Sequence, residues 1–188
     1  MRLFVAITPP VVALEELDAA VAPLRRGSPE LRWTKPESWH ITLAFLGEVE
    51  QAAADRLSAP LSSAAARHAG LGLSTAGGGA FPSSRRAGVL WTGIQGDREA
   101  LRDVAASVTD GARAAGAPSP DEGRRFRPHI TLARLREPGD VSGLIAQLKG
   151  YVGATWQADA IHLIRSHAGP QPWYESLGSW PLRVSAHP

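Results

Sequence analysis

Two histidines, each followed two residues later by a threonine, stand in one pentapeptide that occurs twice in the chain. The first copy lies in residues 39–46, WHITLAFL, and the second in residues 128–135, PHITLARL. His-Ile-Thr-Leu-Ala is common to both, with His40 and Thr42 in one and His129 and Thr131 in the other. With six His and eight Thr in 188 residues, chance supplies roughly a quarter of one such pair, so a single copy says little. Two copies inside an identical pentapeptide say more, because a half-buried strand has no packing reason to repeat its histidine. Imidazole, with an ordinary pKa near 6.5, gives or takes a proton at neutral pH. A threonine hydroxyl can donate a hydrogen bond to charge that develops on a nearby oxygen. The pattern is that of an acid/base site.

Placing these groups is a matter of strand geometry. Successive side chains on a β-strand point to opposite faces. His40, Thr42 and Ala44 therefore share one face and Ile41, Leu43 and Phe45 the other. In the second copy His129, Thr131 and Ala133 stand opposite Ile130 and Leu132. Each strand offers an apolar face for a core and a second face with an imidazole, a hydroxyl and a small residue. Two such strands side by side would floor a cleft with two His and two Thr.

The remaining chain must build the frame. Residues 2–8 alternate as a strand, and Pro9 and Pro10 open a helix in which Val12, Leu14, Leu17 and Val21 recur at helical spacing, ended by Pro23 or Gly27. A short strand at 31–34 precedes the first motif strand, which Gly47 closes. Residues 50–67 read as an Ala-rich helix with a break at Pro60. His68, beside the end of that helix, is assigned no chemistry. Residues 71–75 read as a strand and 77–84 (GGGAFPSS) as a flexible loop; it lacks the Gly-Lys-Ser/Thr ending of a phosphate-binding loop. Residues 89–94 form a strand and 97–115 a helix with Leu101, Val104, Ala105 and Val108 as its apolar stripe. A polar loop, 116–127, carries Arg124, Arg125 and Arg127 up to the second motif. A short helix at 141–149 and strands at 155–166 and 173–182 complete the chain, with a frayed tail after Arg183. Strands interleaved with two long helices argue for an α/β or α+β fold, and a repeat unit of half the chain suggests two related lobes facing each other.

Composition narrows the chemistry further. A hydrophobic fraction of 44% suits a packed core, and the absence of cysteine excludes disulfides, thiolate metal sites and cysteine nucleophiles. The first residues do not read as a signal peptide, since Pro9 and Pro10 interrupt the apolar run. No stretch reaches the length of a membrane span. Net charge is +2 with a pI of about 9.5. Nearly all the cations are Arg, with only Lys35 and Lys149 as lysines. A phosphate-bearing partner suits such a surface, and compositional bias explains it as well.

These residues resemble the two-histidine phosphoesterases, and within them the RNA 2′,3′-cyclic phosphodiesterase group, also called 2′-5′ RNA ligases. The likeness runs from RLFVAI through RWTKPESWHITLAFLGEV, GVLWTGI and FRPHITLARL to IHLIRSHAGPQPWYESLGSWPL, nearly the whole chain. It implies an α+β fold: one domain over residues 1–188, made of two intertwined, pseudo-symmetric lobes. Each lobe would have an antiparallel sheet with outer helices, and the motifs would meet in the cleft between them. It implies His40 as proton donor to the leaving oxygen and His129 as proton acceptor from water. Thr42 and Thr131 would bind the phosphate oxygens, joined by Arg134, five residues after the second His. The implied substrates are RNA ends with a 2′,3′-cyclic phosphate, opened to a 2′-phosphate without metal or other cofactor, with 2′-5′ ligation as the reverse reaction. A cytoplasmic monomer is the default expectation. Strict alternation puts Arg134 on the face opposite His129, unless the strand ends or bulges after Ala133 or the side chain reaches round an edge.

Two other readings compete. One is a sister enzyme acting on small cyclic nucleotides or ADP-ribose cyclic phosphate, separable by comparing an oligonucleotide with a mononucleotide substrate. The other is a nucleotide-binding module without chemistry, against which stand both His and both Thr. His162 and His167 could be read as a metal pair, but no matching carboxylate or third His accompanies them, and a strand or loop role is favoured. Ser166 and Tyr174 fall where they could border the cleft. Trp33, Trp39 and Trp91 could stack on bases, with core packing the more ordinary role.

Overall fold

A computed structural model describes residues 1–169 and 172–184. In chain order it comprises β1 (Arg2–Ile7), α1 (Val11–Gly27), β2 (Arg32–Trp33), a 3₁₀ turn (Pro36–Ser38), β3 (Ile41–Glu48), α2 (Gln51–Ala54), α3 (Ser58–Ala66), β4 (Leu71–Phe81) and β5 (Ala87–Gly96). Then come α4 (Arg98–Ala114), β6 (His129–Gly139), α5 (Ser142–Leu148), β7 (Trp156–Ala158), β8 (Ala160–His167) and β9 (Trp173–Pro181). The strands form two sheets, ordered β3-β1-β8-β9 and β2-β6-β5-β4-β7. Every neighbouring pair is antiparallel. The fold is α+β.

The two motif strands lie in different sheets. The expectation of adjacent strands in one cleft floor is therefore corrected: β3 edges the first sheet, β6 is an inner strand of the second, and the two strands touch where the sheets meet. Helices α3 and α4 pack together, α3 against β9 and α4 against β3, while α5 packs on β4. Helix α1 leans on the end of the second sheet, where Glu16 accepts a hydrogen bond from the Ala154 N–H at 2.9 Å. One continuous apolar core joins both sheets, with Val5, Ile41, Leu90, Ile130, Leu101 and Ile161 all at or near zero exposure.

Strict alternation fails in both motif strands, and in the same way. Ala6 lies opposite Thr42 but Val5 lies opposite Ala44, so Leu43 is an extra residue, a β-bulge. Likewise Trp91 faces Thr131 while Leu90 faces Ala133, which makes Leu132 the extra residue. Leu43 and Ala44 both turn into the core, as do Leu132 and Ala133. The next residue in each strand, Phe45 or Arg134, is returned to the histidine's face. Ala44 and Ala133 do not share that face.

Three further expectations are revised. The GGGAF segment is not a loop but the second half of β4, paired with β5, where the Trp91 ring occupies the space a side chain on Gly79 would need. The strand anticipated at 155–166 divides at Asp159 into β7 of the second sheet and β8 of the first. The helix anticipated at 50–67 divides into α2 and α3. Pro60 falls in the first turn of α3, where its missing N–H costs nothing, and causes no break. Helix α1 runs through Pro23 to Gly27. From residue 185 on, the anticipated frayed tail lies outside the described residues.

Candidate active site

His40 sits one residue before β3, held by the 3₁₀ turn and by Trp39, whose side chain is fully buried. His129 is the first residue of β6. The two rings are anchored identically. His40 Nδ1–H donates to the Ser38 carbonyl at 2.8 Å, and His129 Nδ1–H donates to the Arg127 carbonyl at 2.6 Å. A carbonyl can only accept, so each bond fixes the tautomer and leaves Nε2 as the working nitrogen.

Each ring is walled by two aromatic side chains. Phe4 lies 4.7 Å from the His40 ring and Tyr174 meets it edge-on at 5.2 Å. Phe81 meets His129 edge-on at 5.0 Å, with Trp91 at 6.0 Å. Register places Phe45 beside Phe4 on the cleft face of the first sheet. These walls dry the imidazoles. Burial, opposed in part by the Ser38 hydrogen bond, lowers the His40 pKa to about 4; the Arg134 charge, and any proton taken up by His129, push it the same way. His129 is also lowered, first by burial and then by Arg134, against the Arg127 hydrogen bond. In both rings burial favours the neutral form, and a bound anion would act in the opposite direction.

The five residues singled out in the sequence converge. Thr42 and Thr131 lie on the cleft faces of β3 and β6, and the Leu132 bulge brings Arg134 to that face, where its charge is felt by both histidines. Sequence reasoning missed Phe45, which stands at the same offset from His40 as Arg134 from His129; superposing the two pentapeptides would have found it. It also missed Arg32, which pairs in register with Arg134 and so adds a second guanidinium to the rim. Tyr174 does border the cleft, and Ser166 pairs with it on the same face. A cavity of about 650 Å³ opens beside Thr42, Phe45, Phe81 and His129 and runs under the 118–127 loop to α4. Pro120 of that loop rests on Gly47, whose φ of +69° and missing side chain allow the approach.

Other candidates stay apart. His162 pairs with Ala6 and so faces the cleft, whereas His167 points to the opposite side of β8, stacked on Trp173 at 3.8 Å with Nε2 2.8 Å from Glu175. Two histidines on opposite faces cannot share a metal. His68 Nε2 is 2.8 Å from the Ser107 hydroxyl. Trp33 donates its indole N–H to the Ser28 carbonyl at 2.8 Å and packs on the core. Among the described residues no group of three or more His, Asp or Glu is clustered for a metal ion, and no helix is long and apolar enough to cross a membrane.

Two antiparallel sheets facing each other with a His-x-Thr strand in each define the two-histidine class of phosphoesterases. The family model described as LigT-like phosphoesterase matches residues 7–91 and 94–174, so the chain belongs to that family. It is similar to the RNA 2′,3′-cyclic phosphodiesterase of Geobacillus stearothermophilus, at 31% identity over 152 residues, covering 80% of this chain and 47% of that protein. It is also similar to the enzyme of that name from Aeropyrum pernix, at 32% over 119 residues, covering 63% and 65%. The chain thus spans between about half and two thirds of these relatives' lengths. Among solved structures it resembles a Thermus thermophilus protein (TM-score 0.77, 26% identity, 98% of this chain and 100% of that one). It likewise resembles E. coli LigT complexed with 3′-AMP (TM-score 0.74, 26% identity, 96% and 97%).

Proposed function

We propose that the chain hydrolyses RNA 2′,3′-cyclic phosphate ends to 2′-phosphomonoesters by general acid/base catalysis from its two histidines. The observation that carries this reading is the matched anchoring of His40 and His129, each with Nδ1 committed to a carbonyl and Nε2 left free. In the forward direction His129 Nε2 takes a proton from water, whose oxygen bonds to phosphorus. The bond from phosphorus to O3′ breaks, and His40 Nε2–H delivers a proton to that oxygen. The charge gathering on the non-bridging oxygens meets the Thr42 and Thr131 hydroxyls and the Arg134 guanidinium, donors already in place before reaction. His40 with a pKa of about 4 carries no proton on Nε2 at neutral pH. The phosphodiester anion supplies the counter-charge that lets it hold one, so the acid is armed by substrate. Run backwards with a 5′-hydroxyl in place of water, the same site would join ends in a 2′-5′ linkage. Dilute water favours hydrolysis.

The test is turnover of a short RNA ending in a 2′,3′-cyclic phosphate by wild type, His40→Ala and His129→Ala in EDTA, with the product end identified. A 2′-phosphate from wild type and a loss of at least about a hundredfold in each variant is the expected result. Activity abolished by EDTA and restored by a divalent ion would refute the mechanism. An inactive wild type that still binds nucleotides would leave a binding module instead.

A further inference from the structure

Beside the cleft runs a groove that the chemistry above does not use. It holds about 430 Å³ and is floored by Trp91 and Gly93 of β5 and by Phe126. Its walls carry Arg98 and Arg102 from the first turns of α4, and Arg125 and Arg127 from the loop that enters β6. All four arginines are exposed, and no carboxylate lines the groove. Their neighbours differ. Arg113 is paired with Glu122 at 3.0 Å and Arg124 with Asp121 at 3.1 Å, whereas Arg98, Arg102, Arg125 and Arg127 have no ion pair among the described residues. Four like charges around one concavity repel each other and raise the local concentration of anions, and a polyanion seated there would relieve that repulsion.

The groove is also continuous with the candidate site. Arg127 supplies the carbonyl that anchors His129, and Trp91 of the groove floor stands 6.0 Å from the His129 ring. A buried indole N–H on that same Trp91 has no acceptor among the described residues. Ring faces interleaved with guanidinium groups are the combination that holds single-stranded nucleic acid without regard to sequence.

We infer that this groove receives the phosphodiester backbone of the single-stranded RNA on the 5′ side of the terminal nucleotide, with the four arginines meeting its phosphates. The inference rests on the RNA-end reading above and names what distinguishes a strand from a cyclic mononucleotide at the same site. The experiment is fluorescence anisotropy of a labelled six-nucleotide RNA ending in a 3′-phosphate, titrated at several NaCl concentrations. A nucleoside 3′-phosphate and ATP serve as competitors. Arg98→Gln/Arg102→Gln is compared with wild type and with Arg85→Gln/Arg86→Gln, at the β4–β5 turn away from the groove.

The groove variant is expected to weaken the hexamer by about tenfold or more. The slope of log affinity against log salt should fall by about 1.4, since each phosphate deprived of its arginine removes about 0.7 on a single strand. Affinity for the nucleoside 3′-phosphate should stay within about twofold. An unchanged hexamer affinity overturns the inference. So does an equal loss for mononucleotide and hexamer, a loss confined to the Arg85/Arg86 variant, or a defect seen only for ATP, which would make the groove a polyphosphate site. Because binding needs no turnover, the two readings fail separately. A wild type that binds the hexamer through these arginines but opens no cyclic phosphate sinks the catalytic reading alone. One that opens the cyclic phosphate with the groove variant undiminished on RNA sinks the groove alone.

Discussion

His40 bears the largest electrostatic cost in the site. Folding takes it from an ordinary pKa near 6.5 to about 4, because the aromatic walls remove water from the charged form. The sign follows from proton counting. Between about pH 4 and 6.5 the unfolded chain binds a proton at this residue that the folded chain refuses, so stability rises with pH across that window and is flat above it. At 1.36 kcal/mol per pH unit, the full loss on reaching the acid end is roughly 3 to 4 kcal/mol. His129 and His162, both lowered by burial, act in the same direction. Urea unfolding of His40→Asn should therefore show a flatter dependence on pH than wild type between 6.5 and 4, with the two curves parallel above. Parallel curves throughout would mean that His40 is not desolvated as described.

At the scale of strands, Gly79 and Trp91 set the second histidine's surroundings. A Cβ on Gly79 would overlap the six-membered ring of Trp91, and that ring packs on Phe81 at 5.2 Å and borders His129. Gly79→Ala should destabilise the fold by about 1–3 kcal/mol through overpacking and lower kcat/KM by displacing the wall of His129. Unaltered unfolding and unaltered turnover would remove Trp91 from the positioning of the site. This pairing also marks where the sequence could and could not be read. The repeated pentapeptide marked the candidate site, and Ile41 and Ile130 marked the buried faces, because both depend on near neighbours. The bulges at Leu43 and Leu132 were hidden, since they arise from how β1 and β5 pair with those strands. GGGAF looked like a loop because three glycines lack strand propensity, and only Trp91, twelve residues beyond Gly79, explains why small residues belong there. The division at Asp159 was hidden for the same reason: residues 156–167 have a strand's composition throughout, and only the partners differ, β4 for one part and β1 with β9 for the other.

Across the whole molecule, two sheets meet over one apolar core that includes residues from both. Helix α4 follows a strand of the second sheet yet packs against β3 of the first, which ties each sheet to the other's continuity. Thermal unfolding should accordingly be a single cooperative transition when followed by both tryptophan fluorescence and far-UV circular dichroism. A nucleoside 3′-phosphate at about a hundred times its Kd should add about 2.7 kcal/mol, displacing the whole curve upward without splitting it. Two resolved transitions would show the sheets to be separately stable.

Like a shifted reading frame, each motif strand changes which of its positions are legible from the cleft. Before the extra leucine, even offsets from the histidine look into the cleft; just after it, offset five does. A duplicated strand that keeps the same shift in both copies opens one slot per half, at offset five, where the halves are free to differ. One slot is filled by Phe45 and the other by Arg134. A pair of otherwise matched histidines thereby acquires a polarity, with an apolar side at Phe45 and a charged side at Arg134.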